Sequence, residues 1–279
     1  MLYGIGDGLI RSRKLVSRAA KKTKADDSLS FSRHLTAAAQ ADGKRKGERT
    51  RDRLKAAAVV LLETVGYREL RVTDINEHAG VSNALFYVYF KNKQEITQEV
   101  LGEFLNVLGK PQQADRPPHA NAAESIYYGN LDYSRSVVAN PGLMRCLIQF
   151  GDEIPEFGRM WNDWNDNWVE RACRALIRHE KPALGSEAEL RLAVSGLGLM
   201  VDGLLRKIFV ENSAGLSTAA GTLERDPETL ALFLTKLWYR SIYCRELEWM
   251  PAAGEEPEPV RTQVRPHRGM TAETLRTPG

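Results

Sequence analysis

Residues Val72 to Phe90 hold two short helical patterns separated by a single glycine, and few folds can accommodate that arrangement. Val72 to Ala79 places Ile75 and Ala79 on one face, with Thr73 as the expected N-cap. Gly80 supplies a sharp turn, because a positive φ strains glycine little. Val81 should fill the angle between the helices, and Ser82 should cap a helix from Asn83 to Phe90. Two short helices joined by a glycine-containing turn make a helix-turn-helix, whose second helix can enter the DNA major groove. The flanks support the same fold. Glu48 to Thr64 repeats Leu54, Ala58, Leu61, Leu62 and Val65 at helical spacing, and Gly66 ends it. Asn92 should cap a further helix, with Glu95 three residues on and a buried stripe of Ile96, Val100, Phe104 and Leu108.

Helical patterns resume after a proline-containing break at Lys110 to His119 and run to Trp249. No alternating strand pattern of useful length occurs, so the expected fold is all-α. The expected divisions are a basic, disordered or weakly helical arm at 1–44, a DNA-binding domain at 45–109, a helical domain at 110–250 and a disordered tail at 251–279. Charge supports this division. Residues 1–55 carry 15 Lys and Arg against 6 Asp and Glu, whereas the whole chain is only +3. A basic front suggests a polyanionic partner.

Other classes find little support. No run of 18 apolar residues is present, so no membrane span is expected. The start lacks the features of a secretory signal. Three dispersed cysteines, Cys146, Cys173 and Cys244, suggest neither a disulfide framework nor a metal site, and they fit a reducing cytoplasm. The five histidines are scattered, no G-x-S-x-G occurs, and Gly4, Gly6 and Gly8 follow no strand. Neither an enzyme nor a cofactor or metal is expected. A non-specific nucleic-acid coating protein, or a redox sensor acting through one cysteine, are the alternatives from other classes.

The string from Val72 to Lys93, with Gly66-Tyr67, Asp74-Ile75, Ala79-Gly80-Val81-Ser82, Phe86-Tyr87, Phe90 and Lys93-x-x-Ile96, resembles the TetR family of bacterial regulators over about 50 residues. The resemblance implies an N-terminal three-helix DNA-binding domain followed by a helical effector-binding and dimerisation domain. It implies that Tyr87 and Lys93 contact phosphates, and that Asn83, Ala84, Leu85, Val88 and Tyr89 face DNA. Phe86 and Phe90 would point inward. The family often has Ser or Thr where this chain has Arg71, so the cap is expected at Thr73 and Arg71 is free to add a phosphate contact. It further implies a homodimer on a near-palindromic double-stranded operator, acting as a repressor released by a small apolar or amphipathic effector. An activator, or control by a protein partner, remains the alternative.

The residues themselves add detail. Asn83 can pair with adenine, and Leu85 and Val88 can meet thymine methyls. Tyr87 and Tyr89 have a core reading as the alternative. Lys44, Arg45, Lys46, Arg49, Arg51 and Arg53 precede or open the first helix and can coat phosphates or enter a minor groove. Residues 11–24 are a weaker candidate for the same contact. A solvated tail, or an extension from a misplaced start, is the alternative for the arm.

In the second domain Phe157, Trp161, Trp164 and Trp168 form one aromatic face, which either packs as core or walls a pocket. Tyr127, Tyr128, Met144, Leu147 and Phe150 are further pocket candidates. The helix expected at Glu187 to Glu211 is apolar on much of its circumference. With the helix opening at Asp226-Pro227, it can form a four-helix interface in a twofold dimer through Val194, Leu197, Val201, Leu204, Ile208, Phe233, Leu237 and Trp238. Asp202 is expected to pair with Arg206, a ligand contact being the alternative.

Overall fold

The computed structural model describes residues 30–40, 43–110, 116–149, 153–211, 213–221 and 226–250. The chain divides into a unit ending at Glu248 and a short one, Trp249–Gly279. Of the latter, Trp249 and Met250 are described. Helix is the only repetitive structure among the described residues, in agreement with the all-α expectation. None of these helices is long and apolar enough to cross a membrane.

The first helix, α1 (Phe31–Gln40), lies within the supposed arm. Its Phe31, Leu35 and Ala39 are buried, and the Phe31 ring meets Phe104 at 5.6 Å. The Phe31 N–H donates to Asn140 Oδ1 at 2.8 Å. The expected arm therefore ends earlier: residues 30–40 belong to the packed fold. Residues 11–24 lie outside the described residues, as does the tail from Pro251.

Helix α2 (Lys46–Thr64) begins two residues before the expected Glu48 and buries Leu54, Ala57, Ala58, Val59 and Leu62. Gly66, at φ 78°, opens a one-turn α3 (Gly66–Glu69). Helix α4 (Val72–Ala79) follows, then α5 (Asn83–Tyr89) and α6 (Lys93–Leu105). The expected cap at Thr73 is not formed. Thr73 sits inside the first turn of α4, Arg71 holds the extended N-cap position, and the Thr73 hydroxyl turns to Asp74. The caps at Ser82 and Asn92 do form.

The remaining helices are α7 (Ala122–Ala139), α8 (Pro141–Gln149), α9 (Pro155–His179), α10 (Glu187–Leu205), α11 (Ala214–Ala220) and α12 (Pro227–Tyr243). The long helix expected to Glu211 stops at Leu205, where a single wider π turn, Arg206–Val210, takes over. Helix α7 packs on α12, and α8 packs on α2. At that second contact Gly142 lies against the α2 backbone. A Cβ there would come within 2.5 Å of Glu63 Cα and of the Leu62 carbonyl oxygen. The Glu63 carboxylate accepts from the N–H groups of Gly142 and Leu143 at 2.8 and 3.1 Å, capping α8.

Candidate functional site

The α4–α5 pair is held from behind. Gly80 adopts φ 62°, ψ 45°, and the Val81 N–H bonds Asn76 O at 3.0 Å to close the turn. Arg53 reaches across from α2 to the carbonyls of Ala79 and Gly80. Phe86 and Phe90 are buried as expected, 5.8 Å apart between ring centres. This fixes which face of α5 stays in solvent: Asn83 and Ala84 are exposed, Tyr87 is 56% exposed and Val88 72%. A valine that open gains little by folding there, and it is available to a partner surface.

Three residues of α5 depart from their expected settings. Asn83 is exposed, but its Oδ1 already accepts from Asn76 Nδ2 at 3.0 Å. That bond orients the amide and leaves one lone pair and both N–H donors for a base edge. Tyr89 is half-buried with its hydroxyl against Gly47 at the start of α2, so it braces α5 instead of facing outward. Leu85 is likewise half-buried.

Lys93 is the largest change. Its ammonium donates to the carbonyls of Tyr67, Arg68 and Leu70 at 3.1, 3.2 and 3.1 Å and lies over the Tyr67 ring. All three donors are therefore taken up by the C-terminal end of α3, where a positive charge is favoured. A phosphate contact from Lys93 does not fit this geometry. Lys93→Met should lower stability by about 1–3 kcal/mol through the lost charge-assisted bonds, measured by urea unfolding. The slope of log affinity for DNA against log salt should not change. A slope smaller by about 1 would restore the phosphate role.

The basic lead-in is divided. Lys44 pairs with Asp52 at 2.6 Å. Arg51 bonds Glu99 on α6, and Lys55, nearly buried, touches Asp52, Glu99 and Glu103. Burial pulls the Lys55 ammonium down, but Glu103 and Asp52 outweigh it and hold it above its ordinary range. Burial pushes Glu99 up, and Arg51 and Lys55 bring it below the usual range. Arg45, Lys46, Arg49 and Arg71 are exposed and have no ion-pair partner among the described residues.

In the C-terminal helices a cavity of about 370 Å³ opens among α7, α9, α10 and α12 and reaches Leu108 and Gly109 beyond α6. Trp164 and Trp168 line it as expected. Trp161 stacks on Trp164 at 5.4 Å without lining it. Tyr127, Met144 and Leu147 do not line it either. All three are buried in the packed interior, and Phe150 lies outside the described residues. Trp238, expected at a dimer interface, is 5% exposed and lines the cavity, its ring edge-on to Trp168. Gly198 on α10 allows this wall, since a Cβ there would meet Trp168 at 2.9 Å. Trp164 fixes the other side, its indole N–H donating to Leu105 O at the end of α6 at 3.0 Å.

Asp202 was expected to pair with Arg206. Its Oδ1 instead accepts from the Tyr133 hydroxyl at 2.6 Å, and Arg206 pairs with Glu211. Sequence reasoning missed Tyr133 as a lining residue. The only signal available was a tyrosine among the apolar positions of α7. Among the interface candidates, Val194, Val201 and Ile208 are buried within their own chain, so they cannot meet a partner. Leu197, Leu204 and Leu237 are half-buried and Phe233 is exposed. Leu192 and Leu199, 73% and 70% exposed, form the outer face of α10 with Met200. The thiols of Cys146 and Cys173 are buried, and burial pushes Cys146 up to about 12, against thiolate chemistry there.

The family model of the bacterial regulatory proteins, tetR family, matches residues 54–100. Over 193 residues the chain is 27% identical to the HTH-type transcriptional regulator EthR of Mycolicibacterium smegmatis, covering 67% of this chain and 83% of the relative. It is 25% identical over 191 residues to the HTH-type transcriptional regulator BetI of Serratia proteamaculans, covering 65% and 92%. In fold it is similar to a TetR-family transcriptional regulator from Rhodococcus sp., with a TM-score of 0.52 at 18% identity, covering 67% of this chain and 97% of that one. A second such regulator, from Rhodococcus RHA1, gives 0.51 at 15% identity, covering 73% and 100%.

Proposed function

We propose that this chain, a DNA-binding transcriptional regulator of the TetR family, is a dimeric repressor released when a small molecule enters the cavity beside α6. Regulators of this family bind DNA, form dimers and answer to small-molecule effectors. Trp164 is the observation that carries the release step. One indole both lines the cavity and bonds the last turn of α6. The first turn of that helix holds α3 through Lys93, and its middle is tied to α2 by the Arg51 and Lys55 ion pairs. A ligand that displaces Trp164 therefore acts on the support of the α4–α5 pair. In a dimer the two α5 helices must reach successive major grooves about 34 Å apart, so a small rotation of that support weakens binding.

In this reading residues 30–110 carry the DNA-binding part and residues 116–248 the effector and dimer part. Asn83, Ala84, Val88 and the open edge of Leu85 meet the bases of a near-palindromic operator. Tyr87, Arg45, Lys46, Arg49 and Arg71 hold phosphates. The outer faces of α10 and α12, with Leu192, Leu199, Met200, Phe233 and Leu237, form the twofold contact. Selection of binding sites from random DNA provides the test. Asn83→Ala should relax preference at one base step per half-site by about 1–3 kcal/mol. Tyr87→Phe should weaken all sites alike. Altered sequence choice in Tyr87→Phe, or unchanged choice in Asn83→Ala, would show the roles to be misassigned.

A further inference from the structure

We propose that the cavity takes a small amine, cationic at neutral pH and carried on an apolar or aromatic body, with Asp202 as its counter-ion. The inference rests on the reading of this cavity as the effector site. Four large rings line it, Tyr133 from α7, Trp164 and Trp168 from α9, and Trp238 from α12, with Ile126, Leu176 and Val201 among the apolar residues between them. Tyr133 and Trp164 stack at 6.2 Å with 24° between their planes. Such a lining suits an apolar body, and the faces of indole and phenol rings attract a positive charge.

Asp202 is the group out of keeping with this lining. It lines the same space from α10, and Tyr133 supplies its one hydrogen bond among the described residues. No ion pair reaches it among the described residues. Arg206, one turn on, is ion-paired with Glu211, and Arg171, which also lines the cavity, is exposed and not paired with Asp202. Asp202 is half-buried, and a carboxylate drawn that far from water with a single neutral donor is poorly compensated for its lost hydration. Burial accordingly pushes its carboxyl up to about 6, with the Tyr133 bond drawing it partly back. A bound cation supplies the missing charge. A bound anion adds a second like charge in the same low-dielectric space, and a neutral molecule leaves the carboxylate as it was.

Titration calorimetry of the full chain with phenylpropylamine, phenylpropanol and phenylpropanoate keeps the skeleton constant and changes only the charge. At neutral pH the amine should bind at least about tenfold more tightly than the alcohol, and the carboxylate most weakly. Asp202→Asn should erase the advantage of the amine. In the parent protein the amine's advantage should fade as pH falls below about 6, where Asp202 takes up a proton. His119 also lines the cavity, its basicity lowered by burial and by Arg116, and the Asp202→Asn profile separates its contribution. If Asp202→Asn fails to fold, an amine advantage that stays flat from neutral pH to about pH 5 overturns the inference. Alcohol or carboxylate binding as tight as that of the amine also overturns it, while leaving the cavity an effector site. Failure of all three to bind overturns both readings.

Discussion

Gly142→Ala is expected to destabilise the protein by at least about 3 kcal/mol, although the change is a single methyl group at the second residue of a helix. In most helices alanine would be the better residue by about 1 kcal/mol. Here the added carbon would meet the backbone of α2 at 2.5 Å, at Glu63 Cα and the Leu62 carbonyl oxygen. Backbone atoms cannot rotate away as the end of a side chain can. The helices must separate, and separation also pulls the Glu63 carboxylate from the two N–H groups it caps. Charge-assisted bonds of that kind are the stronger class. Urea unfolding measures the effect. A loss below about 0.5 kcal/mol would mean that the close approach is not required. Glu63→Gln keeps the shape and weakens only the cap, so it should cost about 1 kcal/mol.

Phe86→Ala should cost about 3–5 kcal/mol, the range for emptying a fully buried phenylalanine site. It should also lower operator affinity by at least tenfold under conditions where the variant remains folded. Phe86 is what keeps α5 turned, and its ring packs against Phe90 and edge-on to Tyr87. Val88→Ala, two residues on and on the open face, should change stability by less than about 0.5 kcal/mol. Stability and affinity are thus expected to separate along a seven-residue helix. Equal stability losses in the two variants would contradict the orientation of α5.

The same helix explains what could be read from residue order. A glycine turn flanked by apolar residues at helical spacing encodes local geometry, so α4, α5 and their buried phenylalanines were legible. Function at the end of a long side chain was not. Nothing near Lys93 in sequence indicates that its ammonium would find three carbonyls 23 to 26 residues upstream. Tyr133 and Asp202 meet across 69 residues. Helix α1 was overlooked because its buried face is only Phe31, Leu35 and Ala39, set in a basic, serine-rich stretch. Trp238 was assigned outward because α12 is apolar on two faces, and periodicity cannot say which of them meets its own chain. The same ambiguity placed Val194, Val201 and Ile208 on the partner side.

The ion pairs between α2 and α6 bear on how the protein should respond to ionic strength. Binding to DNA releases condensed counterions, and the salt exponent counts the phosphates neutralised by protein cations. A count of basic residues from Lys44 to Lys55 would overstate that number. Lys44, Arg51 and Lys55 already hold carboxylates, and Arg53 holds two carbonyls of the turn. Within that stretch Arg45, Lys46 and Arg49 are exposed without an ion-pair partner among the described residues, so the reading proposed above expects the salt exponent to count these three. In that reading the lead-in has two electrostatic jobs for neighbouring residues: one set ties the helices together and is little affected by salt, and the other would make the grip on DNA adjustable by it.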